Sequence, residues 1–295
     1  MSIMAQPVTS IIMPTFNRAH IISEAIQSAL AQTDPNWELI IVDDGSSDAT
    51  KQIIASMKDE RIRYVFQQNA GAASARNRGL SLAKGEWVAY LDSDNELLPD
   101  YLTVMHTHLN ERANVMFALP RARRILELYE NGTLVKTIAG DEDITKHNIT
   151  IHDIFMRTFH VDTNGLMHRL AVFRDGITWD AALPVMEDWD LALSIGEKYP
   201  HGFLFVDNIL CTYYQRFGGD GMRSNSTYAD SADAFEMIYQ KHKNDRLMKG
   251  QSWYPAGVAR WRQRERYYQS GKLPPYAHFY FMGTATQSTE PGRNF

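Results

Sequence analysis

The chain has 295 residues, 44% of them hydrophobic, enough to bury one large core or two modest ones. A formal charge of −5 with scattered basic residues excludes the concentrated positive face that nucleic-acid binding requires. The single Cys211 excludes an internal disulfide and a thiol-based zinc centre, and it reads as a small buried hydrophobe. The N-terminal residues lack the charged and apolar regions of a signal peptide, and no uninterrupted apolar stretch is long enough to span a bilayer. The expected location is therefore the cytoplasm or the inner face of the membrane.

In chain order, VTSIIM (Val8 to Met13) is a short apolar run closed by Pro14, the pattern of a buried strand meeting a turn. Asn17 is placed to cap a following helix, on which Ile21, Ile22, Ala25, Ile26, Ala29 and Leu30 fall on one face. WELIIV (Trp37 to Val42) reads as the second strand, and Ser47 or Asp48 can cap a helix carrying Ile53, Ile54 and Met57. RIRYVF (Arg61 to Phe66), a small-residue helix from about Ala72 to Ala83, and EWVAYL (Glu86 to Leu91) continue the alternation. Four strands alternating with helices imply a parallel sheet covered on both faces, with ligands bound beyond the C-terminal strand ends.

After Pro99 the rhythm changes. A helix from about Asp100 to Glu111 leads to a hairpin, because RRILELYE and TLVKTI flank the turn signal Asn131-Gly132. A helix at about Thr150 to Met156, a strand around Gly165 to Phe173, a helix from Glu187 to Lys198 and a strand from Gly202 to Tyr214 make a mixed second half. Beyond it, the segment from Trp253 to Tyr268 mixes Trp, Tyr and Arg. That composition suits a solvated helix packed on the main domain, the reading adopted, or peripheral contact with a membrane. The polar tail after Gly283 reads as frayed.

The second strand ends in Asp43, Asp44, Gly45 and the fourth in Asp92, Ser93, Asp94, so four carboxylates are expected to converge on the crevice. Such crowding raises carboxyl pKa values unless a cation relieves it, and a hard divalent ion takes one or two protein carboxylates plus substrate phosphates. Alone, Asp43, Gly45, Ser46 and Asp48 read as loop and helix caps, whereas Asp92 and Asp94 read as functional. The first strand-to-helix turn, MPTFNRAH, contains no glycine, and no Walker-type loop occurs anywhere. Both facts argue against nicotinamide-dependent dehydrogenases and ordinary nucleotide triphosphatases.

The succession MPTFN (Met13 to Asn17), VDDGSSD (Val42 to Asp48), ARNRG (Ala75 to Gly79), YLDSDN (Tyr90 to Asn95) and MEDWDL (Met186 to Leu191) resembles the family 2 glycosyltransferases of the GT-A fold. The resemblance implies an α/β fold whose Rossmann-like, parallel-to-mixed sheet is flanked by helices and followed by a helical C-terminal appendage. It divides the chain into a catalytic domain over 1–225 and an extension over 226–295, the domain having a nucleotide-binding half (1–98) and an acceptor-binding half (99–225). It implies that Pro14 and Thr15 line the nucleotide pocket, that Asp44 bonds the base, and that Arg76 lies near the base or the phosphates. It also implies that Asp92 and Ser93 contact nucleotide or sugar and that Asp94 is the principal ligand for Mn²⁺ or Mg²⁺, with Asp92 a second. Asn95 stands where many members carry a third aspartate.

The pair Glu187-Asp188 matches the position of the family's catalytic base, with Asp188 as base and Glu187 in a positioning role. A carboxylate there removes the acceptor hydroxyl proton, and direct displacement inverts the anomeric carbon. Trp179 and Asp180 are candidates for binding the acceptor sugar, a core tryptophan being the alternative. Arg223 and Ser224, in the glycine-rich stretch FGGDGMRSN, are expected to close over the diphosphate. The expected partners are a sugar nucleotide, by default a UDP-sugar, and a glycan, lipid-linked or protein acceptor. A nucleotidyltransferase that makes sugar nucleotides and a catalytically silent sugar-binding module are the competing readings; the first wants a basic glycine-rich signature that MPTFNRAH does not supply.

Overall fold

The computed structural model describes residues 7–141, 148–155, 161–217, 227–246, 248–249 and 253–270. Strand and helix alternate through β1 (Thr9–Thr15), α1 (Ile22–Leu30), β2 (Trp37–Asp43), α2 (Thr50–Ser56), β3 (Ile62–Phe66), α3 (Ala72–Leu80) and β4 (Trp87–Tyr90). β1 lies between β2 and β4, and β2 carries β3 on its other edge, all in parallel. Chain direction across the sheet reverses at β1, and the C-terminal ends of β1 and β4 form the switch point at which α/β sheets bind ligands.

The second half contributes β5 (Glu96–Leu97), α4 (Tyr101–Asn110), β6 (Phe117–Glu130), β7 (Thr133–Asp141), α5 (Ile151–Phe155), β8 (Met167–Arg169), α6 (Leu170–Arg174), α7 (Glu187–Lys198) and β9 (Phe203–Phe217). β8 runs antiparallel to both β4 and β6, β6 runs parallel to β9, and β5 and β7 are antiparallel edges on β9 and β6. The sheet is thus mixed and flanked by helices, the expected fold class. Among the described residues that follow are α8 (Tyr228–His242) and α9 (Trp253–Gln269).

β1 is buried along its whole length because both of its faces are covered. Ile11 and Met13 join a core with α1 and α4, while Ile12 joins a second core that contains Trp189 and Leu193 of α7 and Phe235 and Ile238 of α8. Pro14, expected to end the strand, lies inside it, paired with Val42. The Thr15 carbonyl faces β2, accepting from Asp44 N at 2.8 Å, and the Ile12 carbonyl accepts from Leu91 N at 3.1 Å. Pro14 therefore directs its missing N–H toward β4, whose pairing with β1 has already stopped at Ile12.

Several local expectations give way to different hydrogen bonding. Asn17 does not cap α1; it takes the left-handed conformation (φ 52°) and its Oδ1 accepts from Ser47 N at 2.8 Å, tying the first two strand ends together. Neither Ser47 nor Asp48 is the N-cap of α2, but Asp48 Oδ1 accepts from Thr50 N at 3.0 Å and its Oδ2 from Ala19 N at 3.0 Å. The strand expected over 165–173 is only β8, and its second part is the short helix α6. The Asn131-Gly132 turn forms as read, with φ of 51° and 76°. α8 begins with a Thr227–Asp230 capping box and buries Tyr228, Phe235 and Ile238. α9 packs on it through Trp261, 6.5 Å from the Tyr228 ring, and an Arg262–Asp233 ion pair. Among the described residues no helix is long and apolar enough to cross a membrane. The tail after Gly283 lies outside the described residues.

Candidate active site

The end of β1 supplies Pro14 and Thr15. The Thr15 hydroxyl is buried without a hydrogen-bond partner, an orphaned polar atom at the switch point that a ligand can satisfy. At the end of β2 the carboxylates turn away from the expected cluster. Asp43 accepts from Ser46 N at 2.8 Å and from the Tyr64 hydroxyl at 2.7 Å. Asp44 accepts from Gln67 Nε2 at 2.7 Å, Ala70 N at 2.9 Å and Gly71 N at 2.8 Å, which places it over the N-terminus of α3. The convergence of four carboxylates is thus replaced by a pair, because peptide N–H groups of the adjoining loops absorb the other two. Three donors on Asp44 leave its Oδ2 one lone pair for a ligand.

The pair is Asp92 and Asp94. Burial raises the Asp94 carboxyl pKa, the Asp92 charge adds to the rise, and the Arg18 and Arg216 guanidiniums oppose it. Arg18 stands 3.7 Å from Asp94 Oδ2, and Arg216 donates to the Asp94 carbonyl at 2.6 Å. Between them Ser93 is buried, and Asn95 Oδ1 accepts from Tyr214 N at 2.8 Å, which fastens the strand end to β9. Among the described residues no group of three His, Cys, Asp or Glu side chains is arranged to hold a metal. Two carboxylates at a switch point fit a hard cation whose remaining ligands are phosphate oxygens, rather than an all-protein cage.

The ARNRG segment binds the two halves of the site together. Arg76 is buried and reaches Asp92 Oδ1 at 2.9 Å with one terminal nitrogen and Glu187 Oε1 at 2.9 Å with the other. Burial works against its charge, but the two carboxylates prevail and keep it protonated. Its guanidinium lies 4.7 Å from the Trp179 ring centroid. Asn77 makes two bonds to the Trp179 backbone, at 2.8 and 2.9 Å. Gly79 lets α3 settle on β1, since a Cβ there would meet Ile12 Cγ2 at 2.5 Å.

Trp179 is consequently not a sugar platform: it is 1% exposed, held edge-on to Tyr90 with its Nε1 donating to the Tyr90 hydroxyl at 2.9 Å. The core alternative is the one realised. Asp180 is half-buried, accepting from Ala182 N at 3.1 Å and pairing with Lys241 at 3.1 Å. Arg223 and Ser224, with the rest of GGDGMRSN, lie outside the described residues.

Helix α7 opens on Met186 in the left-handed conformation (φ 66°), which turns the chain so that Glu187 and Asp188 stand in its first turn. Asp188 is half-buried, and its Oδ1 accepts from Trp189 N at 2.7 Å. Sequence reasoning missed Asp162, a residue in an unpatterned loop whose neighbour Asn164 reaches the carbonyls of Glu96 and Thr212 at 3.3 Å. Burial first, then the nearby charges of Asp188 and Asp92, push its pKa up to about 8, while its bond from Asn164 N and Arg124 oppose the rise.

A parallel sheet extended by antiparallel strands, with an acidic pair at the switch point and a second acidic pair on a facing helix, defines the GT-A type of fold. The model of the family described as glycosyl transferase family 2 matches residues 10–179, more than half of the chain, and the chain belongs to that family. It is 36% identical over 141 residues to the UDP-Glc:alpha-D-GlcNAc-diphosphoundecaprenol beta-1,3-glucosyltransferase WfgD of Escherichia coli, covering 48% of this chain and 54% of that protein. It is 35% identical over 157 residues to the GalNAc(5)-diNAcBac-PP-undecaprenol beta-1,3-glucosyltransferase of Campylobacter jejuni, covering 52% of this chain and 49% of that one. The chain thus spans about half the length of these curated relatives. Among solved structures, S. aureus TarS 1-349 in complex with UDP-GlcNAc superposes with a TM-score of 0.66 at 21% identity, over 87% of this chain and 72% of that one. The mannosyltransferase PcManGT from Pyrobaculum calidifontis, in complex with GDP-Man and Mn²⁺, gives 0.57 at 18%, over 96% and 81%.

Proposed function

We propose that this chain transfers a sugar from a UDP-sugar to an acceptor hydroxyl with inversion, in the assembly of a cell-surface glycan. The observation that carries this reading is the Arg76 bridge, in which one buried guanidinium holds Asp92 of the switch point and Glu187 of the facing helix. It fixes the base candidate Asp188 relative to the donor carboxylates, as in-line attack requires. The nucleotide lies at the β1 end, satisfying the Thr15 hydroxyl and packing on Pro14, with the free Asp44 lone pair for the base and Ser93 beside the sugar. Asp188 takes the proton as the acceptor oxygen bonds the anomeric carbon, and the bond from that carbon to the diphosphate oxygen breaks from the opposite face. Asp94, with Asp92, would hold Mn²⁺ or Mg²⁺, which would stabilise the negative charge on the leaving diphosphate. The GDP-Man and Mn²⁺ of the Pyrobaculum neighbour and the UDP-GlcNAc of TarS support that donor chemistry.

The relatives whose names carry undecaprenol-linked substrates favour a lipid-linked acceptor, met at the inner membrane face with the Trp-, Tyr- and Arg-bearing α9 nearby. The test offers labelled UDP-sugars with undecaprenyl-diphosphate sugars and reads product configuration by NMR. Inverted product supports the proposal. A retained configuration, or pyrophosphate-linked synthesis of UDP-sugar from UTP and a sugar phosphate, would overturn it in favour of another class.

A further inference from the structure

The first turn of α7 is held from behind by a buried charge network that the family model, ending at residue 179, does not reach. Asp190 is completely buried, two residues after Asp188. Both of its oxygens are occupied by α8: Oδ2 by Lys241 Nζ at 2.7 Å and Oδ1 by His242 Nε2 at 2.8 Å. Each partner is itself anchored. His242 turns its Nδ1 to Asp245 Oδ2 at 2.6 Å, and Lys241 also reaches Asp180 Oδ2 at 3.1 Å. Trp189, between Asp188 and Asp190, stacks on Phe235 of α8 with ring centroids 5.3 Å apart and donates through Nε1 to the Ile154 carbonyl at 3.0 Å. A buried carboxylate facing two cations is costly to expose and directional in its bonds, so it fixes the rotation of the helix that carries it.

We propose that Lys241 and His242 are positioning residues for transfer, setting the rotation of α7 and with it the aim of Asp188 at the acceptor. The inference rests on the reading of Asp188 as base. Their ion pairs run to Asp190, Asp180 and Asp245 and not to the donor carboxylates Asp92 and Asp94, and the one they share is Asp190. A rotation of α7 that moves the Asp188 carboxylate by about 1 Å lowers turnover while the donor, held by β1 and β4, still binds. His242 is faced by Asp190 of α7, by Asp245 after α8 and by its neighbour Lys241. Burial lowers its pKa, but the two carboxylates outweigh it and hold it above the usual histidine range. The protonated clamp is complete below the ordinary histidine pKa and loosens as pH rises through the raised value.

The test measures kcat, donor affinity and hydrogen exchange of residues 187–191 in the full chain for Lys241→Met, Lys241→Arg and His242→Gln, with circular dichroism to verify folding. Expected are a fall in kcat of about ten- to a hundredfold, donor Kd within about twofold of wild type, and exchange faster by about tenfold confined to the start of α7. Lys241→Arg is expected to restore most of the rate. The alkaline fall in wild-type kcat is expected to disappear in His242→Gln. Unchanged kcat and exchange in both Lys241→Met and His242→Gln would overturn the proposal. So would exchange raised evenly along the chain with Lys241→Arg no better than Lys241→Met, because that is a purely structural loss. Should Asp188→Asn keep full turnover, the base assignment fails on its own, while the local exchange response still decides whether the clamp exists.

Discussion

Asp94 carries a charge that the fold itself disfavours, which gives its substitution an unusual sign. Its folded-state pKa is raised by burial and by Asp92, so the folded chain binds more protons there than the unfolded chain and loses stability as pH rises through that range. Asp94→Asn is therefore expected to raise the melting temperature of the metal-free protein while abolishing the Mn²⁺-dependent part of UDP affinity in calorimetry; a lower melting temperature with intact metal dependence would contradict both. Asp44 has the opposite character. Its carboxylate gathers the N–H groups of Ala70 and Gly71 in the turn that leads into α3, so Asp44→Ala removes hydrogen bonds to a charged group worth about 1.5–3 kcal/mol each and lowers the urea midpoint along with nucleotide affinity. At this scale the sequence was legible where acidic residues end a strand or open a helix, as Asp92, Asp94, Glu187 and Asp188 do. It was illegible where the environment comes from distant segments. Asp162 sits in a loop without pattern, and Trp179 has a neighbour, Arg76, that is 103 positions away in the chain and is brought to it by α3.

Elements follow their sequence signals when one physical cause dominates. The bounds of α7 fall at Glu187 and Lys198 because acidic residues favour its N-terminus and a lysine its C-terminus, and Asn131-Gly132 fixes the hairpin because both residues accept positive φ. The run MHRLAVF, read as strand to its end, misled for the reason that short apolar runs do: without a period, strand and helix bury the same residues, and only the pairing of β8 with β4 shows where the strand stops. The glycine of ARNRG gives the test at this scale. Alanine in a helix interior normally gains about 1 kcal/mol over glycine. At Gly79 the new methyl group would lie 2.5 Å from Ile12 Cγ2, in a fully buried β-branched side chain that cannot swing aside. Overpacking of about 1–3 kcal/mol is expected to win, so Gly79→Ala should lower the denaturation midpoint and shift α3, with Arg76 on it, away from Asp92. A stabilised variant would show that the α3–β1 contact is looser than its geometry.

On the scale of the molecule, the boundary read at residue 225 separates segments that share a core. Tyr228, Phe235 and Ile238 of α8 are buried in the same cluster as Trp189, Leu191 and Leu193 of α7, or packed on it through Trp261, and Asp190 has both of its cationic partners on α8. The resemblance implied a helical extension, but no pattern in the sequence was read as α8 or as stating what it covers, because amphipathic spacing states at most that a face is apolar and never which surface meets it. Removing α8 would take the burial of Tyr228, Phe235 and Ile238 out of the fold, each worth about 1.5–3 kcal/mol. It would also leave Asp190 charged and unpaired in the interior, a further loss of about 3–5 kcal/mol. Together these approach the whole net stability of about 5–15 kcal/mol that a folded domain possesses. A chain ending at residue 226 is therefore expected to be unfolded or aggregated, with no cooperative melt. One ending at residue 250 keeps α8 and is expected to melt cooperatively, somewhat below the full chain, since among the described residues α9 packs chiefly on α8, at contacts such as Tyr228–Trp261 and Asp233–Arg262. Calorimetry of the two truncations decides the matter: a cooperative transition in the shorter chain would mean that the catalytic fold closes its second core without α8, and that α7 keeps its rotation by packing against the sheet alone.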